Sequence, residues 1–201
     1  MAENWSGHYK HLNEKTPPAA MLSRALAAFQ HEHADHGDKL SLDLGCGNGI
    51  DTLAMLQDHW HVTAIDRERL ALEAVERLAE PELRERLETR CIDFAKLDAL
   101  PVYKLVNATF SLPFCPPARF YHLWNVICNA ISPGGRFSGQ FFGVRDSWST
   151  NPEMTFHTRK EVEKLFTGFE TEHLEEVEKE GKLISGQPKY WHVFHVVARK
   201  I

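Results

Sequence analysis

No apolar run in this sequence is long enough to span a bilayer, and the opening Met1-Ala2-Glu3-Asn4-Trp5 has no leader pattern, so no membrane partner is expected. Paired cysteines are missing as well. Cys46, Cys91, Cys115 and Cys128 are scattered and form no C-x-x-C, which argues against a zinc ribbon or a dithiol redox centre and reads as reduced thiols in a cytoplasmic protein. Positive charge is not in excess: 23 Lys and Arg face 28 Asp and Glu, a formal charge of −5 and a pI near 6.2, so nucleic acid is disfavoured as a partner. No internal repeat or low-complexity tract occurs. Metal-ligand spacing is absent too. His192 and His195 are three apart in a strand-like run and point to opposite faces, while His31, His33 and His36 read as solvated histidines favoured at a helix C-terminus. No metal is expected.

What remains is an ordinary globular composition, 43% hydrophobic and 25% charged over 201 residues, enough for one domain with a substantial core. The chain is organised around Leu40 to Gly49, Leu-Ser-Leu-Asp-Leu-Gly-Cys-Gly-Asn-Gly, a strand-length apolar run that turns on three glycines into the helical pattern of Ile50 to Leu56. A glycine loop lets the backbone approach a ligand, and the helix that follows offers unpaired N–H groups and a positive dipole end to the same place. A polar or anionic cofactor is the expected occupant. The dinucleotide fingerprint would need a glycine at position 50, where Ile50 stands, so a nicotinamide dehydrogenase is disfavoured.

The surrounding pattern alternates strand and helix. Strands are expected at Lys39 to Leu44, His61 to Ile65, Glu88 to Ile92, Tyr103 to Ala108 and Arg136 to Phe142, with helices at Pro18 to His33, Ile50 to Gln57, Arg69 to Ala79 and Phe120 to Ile131. Ser132-Pro133-Gly134-Gly135 reads as a helix stop, and Thr158-Arg159-Lys160-Glu161 as a capping box. Two last strands, Phe169 to Glu178 and Tyr190 to Arg199, are joined by a long loop from Glu180 to Lys189. The fold class is therefore α/β, a three-layer doubly wound, seven-stranded, mostly parallel sheet with a C-terminal antiparallel hairpin. Asp66 closes the second strand about 20 residues beyond the glycines, placed to accept hydrogen bonds from ribose hydroxyls, with Arg67 beside it. Asp93-Phe94 at the end of the third strand suits an adenine: the carboxylate takes the exocyclic amine and the ring packs. The apolar, proline-stiffened loop from Asn107 to Pro117 reads as a site wall.

Leu42-Asp43-Leu44-Gly45-Cys46-Gly47-Asn48-Gly49, Asp66, Asp93-Phe94, Asn107-Ala108-Thr109-Phe110 and Ser132-Pro133-Gly134-Gly135 together resemble the successive motifs of a class I, Rossmann-like, S-adenosylmethionine-dependent methyltransferase. Leu112-Pro113-Phe114-Cys115, Met154 to Thr158 and Trp191-His192-Val193-Phe194 make the chain similar to the small bacterial tellurite-resistance methyltransferase type. The resemblance implies S-adenosylmethionine as cofactor, S-adenosylhomocysteine as product, and a methyltransferase domain over 39–201 after an N-terminal lid segment and helix over 1–38. It implies Gly45-Cys46-Gly47-Asn48-Gly49 around the methionine moiety, Asp66 on the ribose, Asp93 and Phe94 at the adenine, and Asn107 and Ala108 near the methyl. Asp43 would brace the loop. Trp5 and Tyr9 would fold over the cofactor.

The reaction expected on that reading is an in-line displacement on the sulfonium methyl, needing neither triad nor metal. The acceptor is expected among Tyr9, Phe110, Arg145, Trp148, Trp191 and His192, with Arg145 holding an anion and His157 or His192 removing a proton. A thiol, a metalloid oxyanion, a halide, an amine or an aromatic acid all fit such a pocket, and a non-catalytic cofactor-binding module stays open beside the enzyme. The partner is then a small molecule, and the protein a monomer or homodimer.

Overall fold

The computed structural model describes residues 16–32, 39–183 and 185–201. Trp5 and Tyr9, and with them the lid expectation, lie outside the described residues, as do His33 and His36.

In chain order the elements are α1 (Ala20–His31), β1 (Leu40–Leu44), α2 (Ile50–Gln57), β2 (His61–Asp66), α3 (Arg69–Leu78), α4 (Pro81–Arg84), β3 (Leu87–Cys91), β4 (Tyr103–Ala108), α5 (Pro117–Ala130), β5 (Ile131–Gly143), β6 (Phe156–His157), α6 (Arg159–Leu165), β7 (Phe169–Lys182) and β8 (Pro188–Lys200). The strands form one sheet in the order β3-β2-β1-β4-β5-β8-β7, with the two-residue β6 added in parallel to β5. β1 to β5 are parallel, and β8 runs antiparallel to both β5 and β7. Strand order reverses between β1 and β4, which opens a crevice at their carboxyl ends. β1, β2 and β4 are buried almost throughout and read accordingly as apolar runs.

Both faces of the sheet are covered. On one, α5 and α6 pack Phe120, Trp124, Val162 and Phe166 onto Phe137 and Phe141; the indole N–H of Trp124 is satisfied by the Leu165 carbonyl at 3.0 Å. On the other, α1 and α2 bring Met21, Leu22, Phe29, Met55 and Leu56 against Trp60, Val62, Leu105 and Val197. Among the described residues no helix is long and apolar enough to cross a membrane.

Three local features depart from the sequence reading. α5 stops at Ala130 and β5 begins at once with Ile131, so Ser132-Pro133-Gly134-Gly135 lies within the strand, where a register shift between Tyr103 and Leu105 of β4 absorbs it. The charged stretch after α3 contains the short α4, opened by Pro81 in its first turn. The hairpin is longer and its loop shorter than expected: pairing continues to Lys182 opposite Pro188, because Lys189 is buried at that end of the sheet. The capping box forms as read, with the Thr158 side chain accepting from the Glu161 N–H and the Glu161 carboxylate accepting from the Thr158 N–H.

Candidate functional site

The crevice at the β1–β4 switch holds a cavity of about 520 Å³. The glycine loop forms one wall. Gly45, Gly47 and Gly49 all have positive φ. At Gly45 (φ 76°) a Cβ would come within 2.4 Å of the Ser111 Cβ, and at Gly49 (φ 83°) within 2.5 Å of Val75 Cγ2, so both positions exclude a side chain twice over. The N–H groups of Gly45 and Cys46 donate to the Ile65 carbonyl at 2.8 and 3.0 Å, fastening the loop to the end of β2. Asp66 completes that attachment. Its Oδ2 accepts from the Gly47 N–H and its Oδ1 from the Glu68 N–H, each at 2.9 Å, while the carboxylate still lines the cavity. Arg67 and Glu68 border it. Asp93 and Phe94 line it as well: the Phe94 ring would lie 3.6 Å from a Cβ on Gly45, and an Asp93 oxygen accepts from the Ala95 N–H at 3.0 Å.

Beneath the cavity lies a buried carboxylate pair that the sequence reading only half anticipated. Asp43 accepts from the Thr52 hydroxyl at 2.6 Å and from Asn107 Nδ2 at 3.0 Å; Asp51 accepts from the same Asn107 Nδ2 at 3.0 Å, from the Thr109 hydroxyl at 2.7 Å and from the Ala19 N–H at 2.8 Å. Asn107 is held in turn by the Ser138 hydroxyl, which donates to its Oδ1 at 2.8 Å. Burial first, and the neighbouring Asp51 second, push the Asp43 carboxyl up to about 7. Both aspartates line the cavity, so its floor is a prepared seat for positive charge. Cys46 also lines it, with a thiol raised well above its ordinary range by burial and by Asp43 and Asp66, hence protonated. In the sequence Asp51 looked like any acidic residue in a first helical turn, which the helix dipole favours without any ligand.

Of the residues expected to bind cofactor, Gly45, Cys46, Gly47, Asn48, Asp66, Arg67, Asp93 and Phe94 are brought together on this cavity. Gly49 instead caps α2 against Val75, and the Asn107 side chain is fully buried in the carboxylate network with Ala108 buried beside it. Thr16, Pro17, Ala19, Thr109, Ser111 and Phe114 are lining residues that the sequence did not single out.

The acceptor-side expectations need correcting. Arg145 does not face the cavity with a free guanidinium: it is bound to Glu176 at 2.9 Å and Glu178 at 2.5 Å on the surface of β7, where the partner carboxylates lie two apart on one strand face. His192 is buried in the same cluster. Its Nδ1 accepts from the Arg145 N–H at 3.1 Å and its Nε2 lies 2.9 Å from Glu176, leaving no nitrogen for a substrate. The ligand atoms of Glu176, Glu178 and His192 lie within 4.8 Å of one another, and the guanidinium already provides their positive charge. His157 is enclosed behind the sheet between Phe120 and Phe141, with ring centroids 4.5 and 5.6 Å away; burial lowers its pKa to about 4. Trp148 is taken up by the chain itself. Lys189 forms a buried ion pair with Asp146, and its Nζ lies 3.8 Å from the Trp148 ring centroid, 4.5 Å from that of Trp191 and 5.2 Å from that of Phe142. Phe110 does line the cavity, held with φ at 51° by a hydrogen bond from its N–H to Gln140 Oε1 at 2.9 Å.

Comparison with known proteins bears on the fold. Residues 42–135 match the family model described as a methyltransferase domain. No curated protein matches the sequence at a significant level. Among solved structures, TehB from Haemophilus influenzae superposes with a TM-score of 0.73 at 16% identity, over 89% of this chain and 62% of that one, so the chain spans less than two thirds of that relative. Magnesium protoporphyrin IX methyltransferase from Synechocystis, with bound S-adenosylmethionine, gives 0.64 at 15% identity over 90% of this chain and 78% of that one. The 1,6-didemethyltoxoflavin-N1-methyltransferase of Burkholderia thailandensis, with its substrate and S-adenosylhomocysteine, gives 0.61 at 20% identity over the same shares, 90% and 78%. Residues 42–135 are thus similar to a methyltransferase domain, and the chain as a whole has the fold shared by these methyltransferase structures.

Proposed function

We propose that the protein transfers a methyl group from S-adenosylmethionine to a small-molecule acceptor. The observation that carries this reading is the cavity itself, which brings the carboxylates of Asp43, Asp51, Asp66 and Asp93 and the Phe94 ring together around the glycine loop. Asp43 and Asp51 are suited to an ammonium and a sulfonium, Asp66 to vicinal hydroxyls, and Asp93 with Phe94 to a purine. The ligand supplies the activated methyl when bound. The chain's own residues do the rest. Gly45 to Gly49 admit the ligand close to backbone, Asp66 holds both loop and sugar, and Phe110 with Phe114 keeps water from the reacting end. Ile50, at the position of a third dinucleotide glycine, lines this cavity and narrows it against a pyrophosphate.

Isothermal titration with S-adenosylmethionine and, separately, S-adenosylhomocysteine tests the reading. Binding of both in the micromolar range is expected, with heat that changes sign or size between buffers if Asp43 releases its proton. Absence of binding by either would overturn it.

A further inference from the structure

A second cavity, of about 420 Å³, adjoins the first over β7 and β8. Phe110 lines both. It is one of two non-glycine residues with positive φ among the described residues, and its ring meets Trp191 and His195 with centroids 6.3 and 6.2 Å away. A strained residue pinned by a side-chain hydrogen bond between two cavities is the kind of outlier that functional sites retain. The second cavity has an apolar body, Phe110, Val177, Val193 and Trp191. Gly181 makes room for that wall, since a Cβ there would lie 2.9 Å from the Trp191 indole. The rim carries Lys179 on the strand face of Val177 and Trp191, while Glu180 and Lys182 alternate to the other face of β7. Neither lysine forms an ion pair among the described residues.

His195 completes the lining. Unlike His157, whose nitrogens are sealed in the core, and His192, whose nitrogens are both engaged, His195 is half-buried on a cavity wall and makes no hydrogen bond among the described residues. The groups around it are Glu175, His173 and Lys179 of β7, Gln140 of β5 and Phe110. Burial lowers its pKa, Glu175 opposes that, and His173 and Lys179 add to it, so the imidazole is neutral near pH 7 and has a lone pair to offer.

We propose, resting on the methyl-transfer reading above, that this second cavity is the acceptor site, that it takes an arenecarboxylate bearing an ionisable O–H or S–H, and that His195 is the base for the transfer. The flat ring lies on Phe110, Val177 and Trp191, and the carboxylate meets Lys179. As the acceptor's oxygen or sulfur forms its bond to the methyl carbon, its proton passes to His195; the bond between methyl and sulfonium breaks, and the electron pair stays on sulfur. Nothing is oxidised or reduced.

The test has a binding arm and a turnover arm, both with the full chain. In the presence of S-adenosylhomocysteine, benzoate is expected to shift the Trp191 indole N–H resonance and benzylamine to leave it unmoved. With S-adenosylmethionine, para-hydroxybenzoate and ortho-mercaptobenzoate are expected to release S-adenosylhomocysteine, and phenol, thiophenol and para-hydroxybenzylamine to do so at least about tenfold less efficiently. Replacing the lysine that faces this wall, Lys179→Gln, should raise KM for the acids by about tenfold with kcat little changed, whereas Lys182→Gln should leave it unmoved. His195→Gln should lower kcat by about a hundredfold at unchanged KM and remove the acid limb of the kcat profile. Titration of each variant with S-adenosylmethionine establishes that its fold is intact. Equal response to benzoate and benzylamine overturns the substrate class, and a wild-type kcat and pH limb in His195→Gln overturns the base. Either failure with cofactor still bound leaves the methyl-transfer reading standing; loss of cofactor binding in the wild type removes both.

Discussion

At the scale of single residues, Asp66 joins two tasks that the sequence could only present as one. Its carboxylate lines the cavity, where we propose that it meets ribose hydroxyls, and it also ties Gly47 and Glu68. Asp66→Ala should therefore weaken binding of both S-adenosylmethionine and S-adenosylhomocysteine by roughly 1.5 to 3 kcal/mol and lower the melting temperature of the unliganded protein as well. Unchanged affinity by titration would rule out the ribose assignment. His157 makes a different prediction, one of pH. Its folded pKa of about 4 lies below the ordinary 6.5, so the unfolded chain takes up a proton first, and the stability associated with the neutral ring is full above pH 6.5 and drains away as the pH falls towards 4. The loss is roughly 3 kcal/mol over that window. Urea unfolding of wild type and His157→Leu should diverge by that amount between pH 7 and pH 4, with the variant the flatter of the two. Asp43 has the opposite sign: its raised pKa means that below about 7 it is protonated, and a cationic ligand must drive the proton off. Affinity for S-adenosylmethionine should rise with pH up to about 7 and then level, and in Asp43→Asn that slope should vanish.

At the scale of elements, the glycine loop and the strands around it were legible because each is written in local sequence. Three glycines within five residues, an apolar run before them and an acidic residue closing the next strand are short-range signals, and α2 and β4 fall where the pattern put them. The acceptor side was not legible in the same way. Whether Arg145 is a free anion receptor depends on Glu176 and Glu178, more than thirty positions away, and on a β7 register shifted by a bulge between Thr171 and His173. His195 carried the same residue type as His157 and His192, and only the packing around each ring separates them. The same locality makes the loop easy to break. Gly49→Ala combines a φ of 83° with a Cβ against Val75, so a loss of roughly 2 to 4 kcal/mol in stability is expected, together with loss of cofactor binding. Adding Val75→Ala should relieve the clash and recover part of the stability in thermal melts; full recovery would mean that the backbone conformation costs nothing.

At the scale of the whole molecule, Arg136 links parts that are far apart in the chain. Buried to 2% exposure in β5, its guanidinium binds Glu32 just past α1 at 2.5 Å and Glu172 of β7 at 2.7 Å, with Phe29 stacked over it at 4.5 Å. Arg136→Met keeps the apolar stem and removes the cation that joins Glu32 and Glu172, Glu32 keeping Arg199 at 3.7 Å. A loss of about 3 kcal/mol in denaturant unfolding is expected, and Glu32→Gln with Glu172→Gln in the same chain should give most of it back. The other buried cation, Lys189, has a consequence for ligands. Ringed by Trp148, Trp191 and Phe142 and neutralised by Asp146, it occupies the one kind of enclosure in which trimethylammonium compounds are ordinarily caught. A lock that already holds its own key admits no other, so choline- and betaine-like molecules should pass this protein by however many tryptophans it displays.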